Sequence, residues 1–114
     1  MPTTTVEDLR IGERVARGCD WLDERIPAWW LKVELVEVDM ANPCGCVLGQ
    51  LYGGWYYNAP IDMDTAVECG FDTSVVRDDG MSLERWRELV DAQFAAMTDE
   101  WTRTILERRY GTSR

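Results

Sequence analysis

SLERWRELVDAQFAAMTDEWTRTILERR, residues 82–109, decides the fold class of this chain. A stripe of apolar residues runs through it at Leu83, Trp86, Val90, Phe94, Met97, Trp101 and Ile105, each three or four residues from the last. That spacing is the stripe of an amphipathic α-helix. Ser82 supplies an N-cap hydroxyl for it. No proline or glycine interrupts the run. The stretch therefore predicts one long C-terminal helix, with Trp86, Phe94 and Trp101 in the core.

A second helix is predicted at the other end. Ile11, Val15, Cys19, Leu22 and Ile26 share one helical face, and Pro27 stops the run. The helix is placed at Val6 to Arg25, capped by Thr4 or Thr5, with Glu7 and Asp8 in the first turn. Gly12 and Gly18 weaken it, and Gly18 marks a close contact or a kink. Between the two long helices the pattern is more broken. Residues 28–32 read as a short helix with Pro27 at its first position. Residues 33–39 are rich in β-branched side chains and read as an extended segment. Asn42-Pro43 reads as a helix start, giving a helix from Pro43 to Tyr52 that Gly53-Gly54 ends. Trp55 to Ile61 forms an aromatic loop. Asp62 caps a further short helix through Cys69, with Gly70 at C′, and residues 71–80 form a polar connection.

The expected architecture is mainly α: a single domain over 1–114 of about four helices, with loose ends at 1–5 and 110–114. The 46% hydrophobic content is enough for a core without disulfide support. The Pro43–Tyr52 helix carries Gly45, Gly49 and Gly53 four residues apart, together with Gln50. On one helix those glycines would form a smooth stripe for close packing, so this helix is expected at the centre, clasped by the two long ones.

Composition narrows the function. There is no histidine, which removes the commonest general base and the commonest neutral metal ligand. No catalytic signature stands in its place, so the chain is expected not to be an enzyme and to need no cofactor. A net charge of −9 disfavours direct binding to nucleic acid or to an anionic membrane. No apolar run is long enough to span a bilayer, and the first residues lack the pattern of a signal peptide, so a cytoplasmic location is expected. Charge is uneven: acids dominate from Asp62 to Asp91, whereas Arg103, Arg108, Arg109 and Arg114 make the end basic.

Three groups of residues are candidates for binding. Cys44 and Cys46, with Cys19 and Cys69, offer four thiols, the number a structural zinc takes. One C-x-C and two single cysteines do not make the paired knuckles of such sites. On a helix Cys44 and Cys46 would point to nearly opposite sides. Cys19 is explained by the apolar face it occupies. The second group is the set of acids Asp62, Asp64, Glu68, Asp72, Asp78 and Asp79, a solvated face or a mimic of a nucleic-acid backbone. The third is aromatic. Trp29, Trp30, Trp55, Tyr56 and Tyr57 lie in loops or at element ends, and Trp and Tyr are enriched at interface hot spots.

The run Cys46-Val47-Leu48-Gly49-Gln50-Leu51-Tyr52-Gly53 resembles a motif in a family of small proteins of actinobacteria and their bacteriophages. The resemblance extends through Leu22-Asp23, Ile26-Pro27-Ala28-Trp29, Val38-Asp39-Met40-Ala41, Cys44 to Gly53, Gly70-Phe71-Asp72 and Trp101 to Arg109. Ala28 departs from a glycine-like position of that pattern, and the lead-in to the last helix is longer. The resemblance implies one folding unit and an actinophage or host source, and it transfers no catalytic residue. The function expected is a phage-type accessory protein that binds a host or phage protein through its aromatics, with a second copy of the chain as a further candidate partner. The alternatives are an acidic nucleic-acid mimic that blocks a DNA-binding protein, and a zinc- or thiol-dependent protein using Cys44 and Cys46.

Overall fold

The computed structural model describes residues 3–75, 77 and 79–111, with side chains described from Arg10 onward. Asp78, Arg114 and the side chains of Thr4 and Thr5 lie outside that set. Among the described residues, five α-helices form the fold: α1 (Thr3–Arg25), α2 (Trp29–Lys32), α3 (Val47–Leu51), α4 (Met63–Glu68) and α5 (Leu83–Tyr110). Two 3-10 turns, Leu35–Glu37 and Tyr56–Asn58, complete it, and the described residues contain no strand. The 33–39 segment is thus extended only at its edges: Val33, Glu34 and Val38 have extended backbone around the Leu35–Glu37 turn.

α5 starts where its cap predicts, with Ser82 Oγ accepting the Arg85 amide at 3.0 Å. α4 does likewise: Asp62 Oδ2 accepts the Thr65 amide at 3.1 Å, and Gly70 follows at φ +75°. α1 already includes Thr3–Thr5, so neither Thr4 nor Thr5 is its cap. α5 also continues to Tyr110 at its far end.

The frame is α1 packed on α5, rather than a central helix clasped by both. Gly12 faces Glu100 and Asp23 pairs with Arg108, so the two helices run the same way along each other. Ile11, Val15, Cys19 and Leu22 meet Met97, Trp101 and Ile105 in one buried cluster. Gly18 faces this packing directly: an added Cβ would lie 2.2 Å from the Cys69 oxygen and 2.8 Å from the Trp101 ring. The glycine there reflects a close approach. Phe71 stacks on Trp101 with centroids 5.1 Å apart, and Trp29 meets Trp101 edge-on at 5.8 Å.

The stripe of α5 is core only in its second half. Met97, Trp101 and Ile105 are fully buried, whereas Trp86, Val90 and Phe94 are half-buried and Leu83 is exposed. A helix of this length spans about 42 Å, further than α1 reaches alongside it. Ahead of Met97 the helix is met by Ser74, whose amide donates to Gln93 Oε1 at 2.7 Å. The basic residues near the end brace the fold. Arg103 pairs with Glu100 and Glu107, Arg108 pairs with Asp23, and Arg109 donates to the backbone oxygens of Trp30 and Val33.

Candidate binding site

The expected helix from Pro43 begins four residues later. Asn42 does not cap it. Its Oδ1 accepts the Cys44 amide at 2.9 Å, and its backbone oxygen accepts the amides of Gly45 and Cys46 at 3.0 and 2.8 Å. This is a local side-chain turn competing with the helix, a habit of asparagine. The N-cap of α3 is Cys46, whose Sγ accepts the Gly49 amide at 3.3 Å. Cys44 is exposed and Cys46 is buried, each set there by the turn rather than by helical phase.

The glycine stripe dissolves for the same reason. Only Gly49 lies within α3. A Cβ on Gly49 would stand 2.2 Å from the Pro43 oxygen, one on Gly45 would stand 2.7 Å from the Glu37 oxygen, and Gly53 has φ +81°. Three glycines serve three separate needs: two close backbone approaches and one left-handed turn. Gln50 has a role of its own. Its Oε1 accepts the Glu34 amide at 2.7 Å, while Nε2 donates to the oxygens of Glu34 and Gly45 at 3.2 and 2.9 Å. The carboxamide reads the Glu34 backbone as a neighbouring strand would, and this binds the 33–39 segment to α3.

The turn at 42–46 also positions the aromatic loop. The Pro43 oxygen accepts the Tyr56 amide at 2.7 Å, and Asn58 Nδ2 donates to the Tyr52 oxygen at 3.0 Å. Tyr56 is half-buried, and its hydroxyl donates to Asp72 Oδ2 at 2.9 Å. Burial and that carboxylate push its phenol well above its ordinary range. Trp55 and Tyr57 stay outside, 44% and 66% exposed, with ring centroids 5.3 Å apart. Trp29 is separated from them. It is fully buried, and its Nε1 donates to Asp23 Oδ1 at 3.0 Å. Trp30 is half-buried under the Arg108 guanidinium, 5.0 Å from its centroid. Of the five candidate aromatics, the structure therefore brings together Trp55, Tyr56 and Tyr57.

Beside them opens a pocket of about 90 Å³, walled by Met40, Pro43, Cys46, Tyr56, Tyr57, Asp72 and Phe94 among others. Asp72 is a candidate from the acidic group, but sequence spacing does not place Met40 and Phe94 beside it, because the three come from segments far apart in the chain. Asp72 is placed by Arg14, which is only 6% exposed and donates from Nη2 to the Asp72 backbone oxygen at 2.7 Å. The signal for Arg14 was an arginine three residues after Ile11, on the apolar side of α1.

The remaining candidates do not converge. Cys19, Cys46 and Cys69 are buried, and burial raises each thiol above its ordinary pKa. Among the described residues, no three Cys, Asp or Glu side chains are grouped to hold a metal ion. Asp62 caps α4, and Asp72 lies apart from it, accepting the Tyr56 hydroxyl. No described helix is long and apolar enough to cross a membrane. In comparisons with family models, curated proteins and solved structures, nothing matches the chain.

Proposed function

We propose that this chain is a non-enzymatic binding module that engages a partner protein through the aromatic loop at Trp55–Asn58. The observation that carries the reading is the pairing of exposure with fixation. Trp55 and Tyr57 present adjacent rings to solvent, while Tyr56 between them is anchored through its amide to Pro43 and through its hydroxyl to Asp72. Rings held on a fixed backbone lose little freedom on binding, which favours affinity. A host or phage protein in the cytoplasm is the partner class that the sequence resemblance suggests.

The test is affinity capture from an actinobacterial lysate with the wild-type chain and with a Trp55→Ala/Tyr57→Ala double variant. The reading expects a protein enriched by the wild type and lost with the double variant, whose melting temperature stays unchanged. Identical captured proteins for both chains would overturn it.

A further inference from the structure

We infer that the pocket beside the aromatic loop receives an arginine side chain of the partner protein, its guanidinium against Tyr57 and paired with the Asp72 carboxylate. The inference rests on the binding reading above and adds the chemistry of the partner.

The one charged side chain in the pocket wall is Asp72. Its Oδ2 accepts the Tyr56 hydroxyl at 2.9 Å and its Oδ1 accepts the Thr73 amide at 2.8 Å. A carboxylate offers about four acceptor sites, so these two bonds fix the group without filling it. Among the described residues, no ion pair involves Asp72. It is half-buried and lines the pocket. The rest of the lining offers no cation. Met40, Pro43 and Phe94 are apolar, and the Cys46 thiol stays protonated because burial raises its pKa. The pocket therefore holds one anion in a mainly apolar wall, next to an exposed aromatic ring.

Such a site selects its occupant. A neutral apolar side chain would strip water from the carboxylate and give nothing back. A guanidinium compensates it, because its planar fork donates to a carboxylate while its face lies on a tyrosine ring. The net charge of −9 draws basic segments toward the molecule from a distance.

The test follows the ¹⁵N–¹H spectrum of the full chain during titration with two blocked tripeptides, Ala-Arg-Ala and its citrulline counterpart. Citrulline keeps the shape of arginine and removes its charge. The expected result is a saturable shift of the Trp55 indole and Thr73 amide signals, with the arginine peptide binding about tenfold more tightly. Asp72→Asn should abolish that preference, and the wild-type comparison of the two peptides decides the matter even if this variant folds poorly. Equal affinity for the two peptides overturns the arginine assignment. So does the absence of a saturable shift up to about 10 mM peptide. Equal affinity that is lost in Trp55→Ala/Tyr57→Ala would remove the arginine assignment alone and leave the aromatic-loop reading standing.

Discussion

The indole N–H of Trp101 donates to the Gly70 backbone oxygen across 2.8 Å in the interior of the molecule. This bond joins α5 to the exit of α4, where Gly70 turns the chain at φ +75° and packs on Val15 of α1. Trp101 is fully buried, so no water is at hand to replace its donor. Trp101→Phe should keep most of the ring and orphan the carbonyl. The expected loss is about 2–4 kcal/mol, combining the cavity with the unsatisfied acceptor. Urea unfolding measures it, and a loss below about 1 kcal/mol would mean that the bond contributes little.

Gly12 and Gly18 sit on the same helix and should respond to alanine with opposite signs. A Cβ at Gly12 would meet only Glu100 Oε2, at 3.7 Å, an ordinary contact. Gly12→Ala should therefore stabilise the protein by up to about 1 kcal/mol through helix propensity. A Cβ at Gly18 would stand 2.2 Å from a backbone oxygen. Gly18→Ala should cost about 2–3 kcal/mol even after the same propensity gain. Thermal melts of the two variants decide this, and a shared sign would refute the contact at Gly18.

Gln50 makes three bonds, and a glutamate can reproduce only one of them. In Gln50→Glu one oxygen still accepts the Glu34 amide, but the other faces the oxygens of Glu34 and Gly45 with no proton to donate. The loss at pH 7 should be about 2 kcal/mol. The new carboxylate is destabilised in the folded state, so its folded pKa is raised. Protonation restores a donor, and the deficit relative to wild type should shrink near pH 4. A deficit equal at both pH values would contradict the three-bond arrangement.

Ala28 is the one described residue other than glycine with positive φ, at 56° with ψ 37°. The left-handed turn leads from Pro27 into α2, which carries Trp29 into the core. A Cβ in that conformation costs about 1–2 kcal/mol, partly offset by the greater chain entropy of an unfolded glycine. Ala28→Gly should raise stability by about 0.5–1 kcal/mol. A drop in melting temperature would refute this assignment.

What could be read from the sequence were the elements whose signals are local. α5 and α4 announce themselves through Ser82 and Asp62 as caps, and α1 through the period of Ile11, Val15, Cys19 and Leu22. The turn at 42–46 was misread because asparagine before proline is a good helix start in general. Here the Asn42 side chain bonds to its own loop, and a cysteine takes the cap. Trp29 reads as an aromatic at the end of a short helix, because nothing local shows that this one-turn helix folds onto α5. The pocket was invisible for a deeper reason. Met40, Asp72 and Phe94 meet only through the packing of distant segments, and no spacing along the chain encodes that.

Cys19 provides the test of the core at high pH. It lies on α1 against α5, 4% exposed, and desolvation raises its thiol from 9.0 to about 11, with Arg108 opposing the shift. Below pH 9 the thiol is protonated in both the folded and the unfolded chain and contributes no slope. Between pH 9 and about 11 the unfolded chain releases the proton while the folded chain keeps it. The unfolded state then binds fewer protons, so stability falls as pH rises through this window. Two pKa units correspond to about 2–3 kcal/mol. The wild-type curve alone does not isolate the thiol. Cys19→Ala does: its own cost is a cavity of one sulfur, and its stability should fall less steeply than the wild type between pH 9 and 11. Parallel curves for the two chains, followed by urea midpoint against pH, would show that the Cys19 thiol is not held in a dry environment.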